Sequence, residues 1–373
     1  MKWIFWGSVA LLAYTYAGYA VWLWLRVRWR PRPVRLGPTI PLISVVMVAR
    51  NEEPFLREKL HNLLRLEYPT DLLQVVVVSD GSTDGTESIL SEYAREPRIC
   101  VLLNQMPSGK ACGVNDGVGA ATGEVVVFTD ARQKIEATAV RLLLENFADP
   151  EVGCASGELM IGSAEAGEAA DGMGQYWRVE KKIREWESNS GSVVGATGAL
   201  YAVRRQLIPM LPPGTILDDV YIPMHVARQG SRVVFDPRAA AWDSPNLGRP
   251  REFARKVRTL SGNYQLLQMC PWLLGKQNPL RFEFISHKLL RLVAPFALLT
   301  ALLSSFFLRD TVYRAACLLQ IAFYALSLLG MIRLKRGFVS RMADAAFTFV
   351  VLNTAAVVAF GKFVTGRNIE WSR

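Results

Sequence analysis

The chain has 373 residues, 51% of them hydrophobic, and carries a formal net charge of +10 with a pI of about 9.5. That composition allows one soluble domain of roughly 200–250 residues plus membrane segments, and the basic residues flank apolar stretches without any recognised nucleic-acid motif, which argues against a nucleic-acid partner. Five cysteines, an odd number with no CxxC pair, fit a reducing compartment better than a disulfide framework or a zinc site.

Trp3–Leu25 is uncharged and long enough to span a bilayer, and Arg26, Arg28, Arg30, Arg32 and Arg35 follow at once. A cleavable signal peptide has a shorter apolar core with its positive charge ahead of it. The pattern therefore predicts a transmembrane anchor over residues 1–30, with the N-terminus outside and the main domain in the cytoplasm.

Pro41–Ala49 reads as a buried strand running into Ala49-Arg50-Asn51-Glu52. A helical pattern through Leu56, Leu60, Leu63 and Leu64 follows, closed by Tyr68-Pro69. Gln74–Ser79 is a second strand, Thr86–Ala94 a helix, Ile99–Leu103 a short strand, Lys110–Ala121 a helix and Val125–Thr129 a further strand. All-apolar strands alternating with helices predict a parallel sheet covered on both faces, within a domain over residues 38–270. Such sheets bind ligands at the carboxyl ends of their strands, where Asp80 and Asp130 fall.

Each motif has a structural and a chemical reading. Asp80-Gly81-Ser82 is a turn, or a strand end delivering Asp80 to a nucleotide. Asp130-Ala131-Arg132 is a helix cap, or a carboxylate holding a divalent metal against phosphate oxygens. Asp218-Asp219 is an N-cap pair, or it supplies Asp219 as a general base. Arg255, Lys256 and Arg258 are a solvated or lipid-facing surface, or they stabilise charge on a departing diphosphate. His61, His225 and His287 are scattered and point to no shared site.

Residues 271–291 form an interfacial segment, with the aromatics and cations of Phe282–Arg291 expected along the membrane surface. Residues 292–373 are read as a C-terminal membrane region with apolar stretches Leu292–Leu308, Ala315–Ile332 and Ala345–Gly361. The tight Arg309–Thr311 connection makes the first two a hairpin. The loop with Arg333, Lys335, Arg336 and Arg341 belongs inside. Strict alternation then puts the tail outside, but Lys362, Arg367 and Arg373 make that tail basic, so a re-entrant course for the last segment stays open.

Taken together and in this order, the motifs over Leu42–Leu267 resemble the family 2 glycosyltransferases, in particular the membrane-integrated, processive-type branch of cellulose, chitin and hyaluronan synthases. The resemblance implies an α/β protein: a GT-A-type, Rossmann-like catalytic domain with N-terminal and C-terminal transmembrane helices. It implies an inverting transferase using a nucleotide-diphosphate sugar, UDP more than GDP. Nucleotide-sugar binding is implied for Ala49, Asn51, Glu52, Asp80, Lys110, Asp130 and Arg258, with Asn115 beside Lys110 in a GKxxxxN-like segment. Gly198 and Ala199, within Gly195–Ala199, are implied with Asp218 at the acceptor and donor sugar, and Asp219 as the catalytic base. The family's DxD becomes Asp130-Ala131-Arg132: either Asp130 is the one acid for the implied Mg²⁺ or Mn²⁺, or Arg132 partly substitutes for that cation. Its QxxRW becomes Arg255-Lys256-Val257-Arg258-Thr259, which keeps Arg258, puts Arg255 beside the diphosphate and lacks the acceptor-binding Trp.

The expected partners are the donor, a lipid or glycan acceptor and membrane lipids, at a bacterial inner membrane with the catalytic domain cytoplasmic. A homo-oligomer is compatible with the sequence. The preferred acceptor is lipid or lipid-linked. The alternatives are a polysaccharide synthase, a catalytically impaired nucleotide-sugar-binding subunit and a membrane nucleotidyltransferase.

Overall fold

The computed structural model describes residues 1–163, 168–169, 175–243, 249–332 and 337–366. Its strands are β1 (Ile43–Ala49), β2 (Leu73–Asp80), β3 (Ile99–Asn104), β4 (Val125–Phe128), β5 (Lys134–Ile135), β6 (Val152–Ser163), β7 (Glu168–Ala169), β8 (Tyr201–Arg204) and β9 (Arg232–Asp243). They form one sheet in the order β3-β2-β1-β4-β8-β6-β9-β5, with β7 paired on β6. The valine run of β2 suits the centre of such a sheet, because β-branched side chains pack well on a pleat buried on both faces. Alternation sends Val45, Met47, Val75 and Val77 into one core with Leu56, Leu60 and Leu143. Val46, Val48, Val76 and Val78 enter the other with Val114 and Ile222.

The sheet is parallel over β1–β4 and again between β6 and β9. The entirely parallel arrangement expected from the alternating pattern gives way where β8 joins β4 antiparallel, with Phe128 opposite Tyr201. The chain leaves β4, runs through β6 and helix Gln175–Ser190, and re-enters across the carboxyl edge of the sheet. Antiparallel entry sets the residues just before β8 beside those just after β4. Gly198 and Ala199 thereby come next to Asp130.

Among the described residues, four helices are long and apolar enough to cross a membrane: Lys2–Trp29, Arg281–Phe307, Thr311–Leu329 and Phe338–Val364. The second begins inside the sheet domain. Phe284, Ser286 and His287 are buried, so the stretch expected along the membrane surface instead forms the first turns of this helix. Phe284 is drawn in by the apolar cluster of Leu266, Leu273 and Leu280, and His287 by carboxylates described below. The helix ends at Phe307, and Lys2 reaches Asp310 at 3.0 Å, which puts the start of the chain at the hairpin turn far from the sheet. Gln320 Nε2 donates to Leu298 O at 2.9 Å, about equally far either side of that turn, as an antiparallel hairpin requires.

The last helix does not simply run outward. Gly330, at the returning end of Thr311–Leu329, abuts Ala343 and Phe347. Further along, Ala355 and Ala359 pack on Val257, and the Phe363 ring stacks on Tyr264 at 5.1 Å. Val257 and Tyr264 belong to helix Arg249–Met269 of the sheet domain. The C-terminal part of the last helix thus packs against that domain. Arg333, Lys335, Arg336, Arg367 and Arg373 lie outside the described residues.

An epitope placed after Gly366 is expected to be cleaved by added protease only in vesicles of the orientation that also exposes the sheet domain. Cleavage in the opposite orientation would show that the last helix crosses fully.

Candidate active site

The loops after β1 and β2 are knitted together. Asn51 adopts the left-handed region (φ 54°), and its Oδ1 accepts from Thr83 N at 2.8 Å. Asn51 N donates to Ser82 Oγ at 3.2 Å and Glu52 N to Thr86 Oγ1 at 2.9 Å. Ala49 is fully buried, so it bounds the strand end without offering a side chain to a ligand. Asp80 is also fully buried, and its carboxylate accepts from Ser108 N at 2.7 Å, Ser108 Oγ at 3.1 Å and Gly109 N at 3.0 Å. Asp80, expected to meet a nucleotide, therefore fixes the loop in front of Lys110. That close approach needs glycine at 81, where φ is 59° and a Cβ would lie 2.6 Å from Pro107 N. Asn115 is likewise structural and clamps Leu211 through both its N–H and its carbonyl, at 2.9 and 2.8 Å.

The loop delivers Lys110 between two carboxylates. Its Nζ lies 3.0 Å from Asp130 Oδ1 and 3.2 Å from Asp218 Oδ2. Burial alone would raise the pKa of Asp130, but the ammonium of Lys110, with Lys59 and Arg258 behind it, holds that carboxyl below its usual value. Among the described residues, Asp219 has no cation in contact. Burial first, then the neighbouring Asp218 and more weakly Asp130, push it up to about 6, against the pull of Lys110 and Lys288. Asp219 and Asp130 converge on Gly198: a Cβ there would lie 3.4 Å from Asp219 Oδ2 and 3.8 Å from Asp130 Oδ2. Any side chain at 198 would fill the space between the two carboxylates. The surrounding segment is pinned by Ala196 N donating to Asp219 O at 2.7 Å and by Thr129 Oγ1 donating to Ala199 O at 2.9 Å.

Three cations near this centre carry no motif. Lys59 is buried beneath Asp130, donates to Thr129 Oγ1 at 2.8 Å and Gln133 O at 2.5 Å, and is lowered by that burial to about 7. Its signal in the sequence is a lysine inside the stripe Leu56, Leu60, Leu63. Arg184 bonds Thr197 Oγ1 at 2.7 Å and Ser156 Oγ at 2.8 Å, bracing the segment that holds Gly198. Lys288, on the helix that enters the membrane region, attracts Asp219 electrostatically. Of the basic cluster, Arg258 acts on Asp130 from helix Arg249–Met269, whereas Arg255 turns to Asp243 at 3.6 Å and Lys256 to Glu252 at 2.6 Å.

Among the described residues, no group of three or more His, Cys, Asp or Glu gathers as a metal site. Asp130 shares an oxygen with Lys110 and is followed at the second position by Arg132. A resident metal caged by side chains does not fit. An ion shared between Asp130 and incoming phosphate oxygens does, since Mg²⁺ is commonly bound by one or two carboxylates plus substrate phosphates. Two surface depressions of about 550 and 690 Å³ lie elsewhere, one lined by Glu53, Arg57 and Glu92, the other by Thr39, Arg204 and Arg205. Neither is lined by Asp130, Asp218 or Asp219, so side-chain chemistry and not cavity size marks the site.

Residues 44–208 match the family model described as Glycosyl transferase family 2. A probable glycosyltransferase of Bacillus subtilis is 27% identical over 217 residues, 55% of this chain and 51% of that protein. A beta-monoglucosyldiacylglycerol synthase of a Nostoc species is 26% identical over 211 residues, covering 54% and 44%. A poly-beta-1,6-N-acetyl-D-glucosamine synthase of Staphylococcus epidermidis is 22% identical over 234 residues, covering 62% and 56%. The chain thus spans about half the length of the curated relatives it matches. A mannosyltransferase of Pyrobaculum calidifontis, solved with GDP-Man and Mn²⁺, superposes with a TM-score of 0.75 at 24% identity over 97% of this chain and 99% of that one. That likeness shows the fold, of the GT-A type.

Lys110→Met is expected to lower stability in detergent by about 2 kcal/mol at neutral pH, below the ~3–5 kcal/mol of a fully buried pair because the cleft admits water. The folded pKa of Asp130 is depressed, so this contribution is present above the ordinary carboxylate range and fades as pH falls through the lowered value. Thermal unfolding of the variant across pH checks this, and an unchanged melting temperature at pH 7 would remove Lys110 from its central place.

Proposed function

Over residues 44–208 the chain belongs to glycosyl transferase family 2, and from that premise we propose that it is an inverting glycosyltransferase. It moves a sugar from a nucleoside-diphosphate donor, UDP being favoured, to a hydroxyl of a lipid or lipid-linked acceptor at the cytoplasmic face of a bacterial inner membrane. The observation that carries this reading is the convergence of Asp219 and Asp130 on Gly198, with Asp219 raised to about 6. A base with that pKa is ionised at neutral pH yet basic enough to accept a proton during attack.

In the proposed step Asp219 takes the hydroxyl proton as the acceptor oxygen bonds to the anomeric carbon. The bond from that carbon to the diphosphate breaks on the opposite face, the electron pair leaves with the diphosphate, and the configuration inverts. Lys110 and Arg258 stand where the departing charge develops, a stabilisation that acts most strongly in the transition state. Asp218 holds Lys110 in place, and Gly198 leaves room for the sugar. A divalent cation, Mg²⁺ or Mn²⁺, would be held by Asp130 and the donor's own diphosphate oxygens and would add charge neutralisation there. The lipid acceptor is favoured by Lys288, which approaches Asp219 from a helix of the membrane region, and by the diacylglycerol named in the Nostoc relative.

Membranes containing the full chain, given a panel of labelled nucleotide sugars, are expected to place label in the organic phase. Its rate should fall below about pH 6, as Asp219 is protonated, and drop by orders of magnitude in Asp219→Asn. A near-normal Asp219→Asn rate would sink the assignment. Asp219-dependent label in large aqueous material would mark a polysaccharide synthase, the activity in the name of the Staphylococcus epidermidis relative. Label absent with every donor would favour a binding subunit.

Mn²⁺ measured by electron paramagnetic resonance should stay free in the presence of the protein alone and become bound when UDP is added. Arg132→Asp, which restores a second carboxylate, should tighten Mn²⁺ binding about tenfold. Tight Mn²⁺ binding without nucleotide would contradict the shared-ion reading.

A further inference from the structure

Helix Arg281–Phe307 is interrupted by a π-turn at Ile285–Leu289, a distortion found most often at functional sites. A second π-turn, Tyr14–Gly18, interrupts the N-terminal helix. The two meet where Tyr14 Oη and Ser286 Oγ share a hydrogen bond of 2.8 Å. Next in sequence, His287 is clamped through both ring nitrogens, Nδ1 to Glu187 Oε1 and Nε2 to Glu180 Oε1, each at 2.8 Å. Only the imidazolium form supplies two donors to such an arrangement. Tyr19 adds a bond to Glu187 Oε1 at 2.7 Å, Arg291 one to Glu180 Oε2 at 2.7 Å, and Arg26 pairs with Glu283. With His287 so fixed, the rotation of the helix at Lys288 is set as well.

Lys288 is partly buried, and among the described residues it makes no ion pair or hydrogen bond at contact distance. Its neighbour His287 is held by Glu187 on the helix whose Arg184 bonds Thr197, and Thr197 precedes the Gly198 that faces Asp219, so the contacts bring this turn of the helix to the Asp219 side of the cleft. There Lys288 attracts Glu180 and Asp219 and is repelled by Arg184 and Arg291. The cation directed at Asp130 is a different one, Arg258. The site therefore offers two positive groups for two anions: Arg258 with Lys110 on the side of Asp130, and Lys288 on the side of Asp219. A partly buried ammonium with nothing paired to it gains from a ligand that brings the counter-charge. A donor diphosphate uses the first group and leaves the second unmet. The helix carrying Lys288 continues into the membrane region with Val293, Leu299 and Leu303 exposed along it, so what reaches Lys288 from that direction has an apolar tail.

We propose that the acceptor is an anionic lipid whose phosphate ester rests on Lys288 while its free hydroxyl lies against Asp219. This rests on the glycosyl-transfer reading for the role of the hydroxyl, and it narrows the acceptor from any lipid to a phosphate-bearing one. A neutral diacylglycerol leaves Lys288 without a partner.

The test measures binding by calorimetry to the full chain in detergent. Three probes are used: dioctanoyl phosphatidylglycerol, with phosphate, hydroxyls and tails; dioctanoylglycerol, with hydroxyl and tails but no phosphate; and glycerol 3-phosphate, without tails. Phosphatidylglycerol is expected to bind at least about tenfold more tightly than dioctanoylglycerol, the value of one hydrogen bond to a charged group. Lys288→Met should abolish the preference and Lys288→Arg retain it, with UDP binding in each variant showing that it has folded. Equal affinity for the two lipids, or a preference that survives Lys288→Met, overturns the proposal. Glycerol 3-phosphate binding as tightly as the lipid overturns its lipid part and assigns the site to a soluble phosphate ester. Turnover is decided separately: full transfer by Asp219→Asn would sink the proposed function and not the lipid preference.

Discussion

Three carboxylates share one cleft, and the ammonium of Lys110 between two of them makes that possible. Asp130 and Asp218 lie 3.0 and 3.2 Å from it. Like charges this close and this poorly solvated repel strongly, so without a cation one or more would take up a proton. With Lys110 in place, the proton affinity is left on Asp219, which among the described residues has no cation in contact. Much of the surrounding structure serves to bring Lys110 to that point. Asp80 anchors the loop ahead of it, Gly81 permits the loop's approach, and Ala111 and Val114 seat its helix on the sheet.

The reversal between β4 and β8 is the second constraint. In a sheet parallel throughout, the strand after β4 would present its carboxyl end beside Asp130 and carry its own loop away from it. The antiparallel strand presents its beginning. The Gly195–Ala199 segment therefore crosses the cleft before entering the sheet, and it is tied to Asp219 through Ala196 and to Thr129 through Ala199. Asp130 and the Gly195–Ala199 segment, from distant parts of the sequence, become neighbours through one change of strand direction.

The first half of the domain was legible from sequence because its signals are local. Valine runs, leucine spacing and the Tyr68-Pro69 break report elements of a few residues each, and every strand and helix expected between residues 41 and 129 is present, all but the first helix within a residue or two of its bounds; that helix spans Glu53–Leu64 and stops short of the Tyr68-Pro69 break. The acidic motifs were legible for the same reason. What they touch was not. Asp80 reads as a ligand contact until the Ser108 and Gly109 amides are seen to consume its carboxylate, and nothing near position 80 encodes a loop some thirty residues later. Arg184 and Lys288 belong to no motif, since each acts on groups set well apart from it in sequence, Arg184 on Thr197 and Ser156, 13 and 28 residues away, and Lys288 on Asp219. The stretch from 282 to 291 misleads because its aromatics and cations have the composition of an interfacial helix. Its buried partners, Glu180 and Glu187, lie about a hundred residues earlier.

Those partners also bear on what the membrane helices do. Buried ion pairs rarely add much net stability, because desolvation offsets most of their attraction; their better-attested use is to fix one register among several. Helix-on-helix packing through small and apolar side chains allows rotation and sliding at low cost. A histidine held at both nitrogens by two carboxylates of the sheet domain does not. Tyr19 on the N-terminal helix shares the Glu187 oxygen that His287 uses, so both helices are referenced to the same side chain. Glu180 and Glu187 lie on the helix that carries Arg184, and Arg184 braces Thr197 beside Gly198. A continuous chain of polar contacts therefore runs from the membrane helices to the segment facing Asp219. In the transfer proposed above, that chain positions the acceptor, the loops after β1, β2 and β4 position the donor, and Asp219 is where the two meet. Without the membrane helices the site would lose Lys288, and Glu187 would lose the two groups that share its charge.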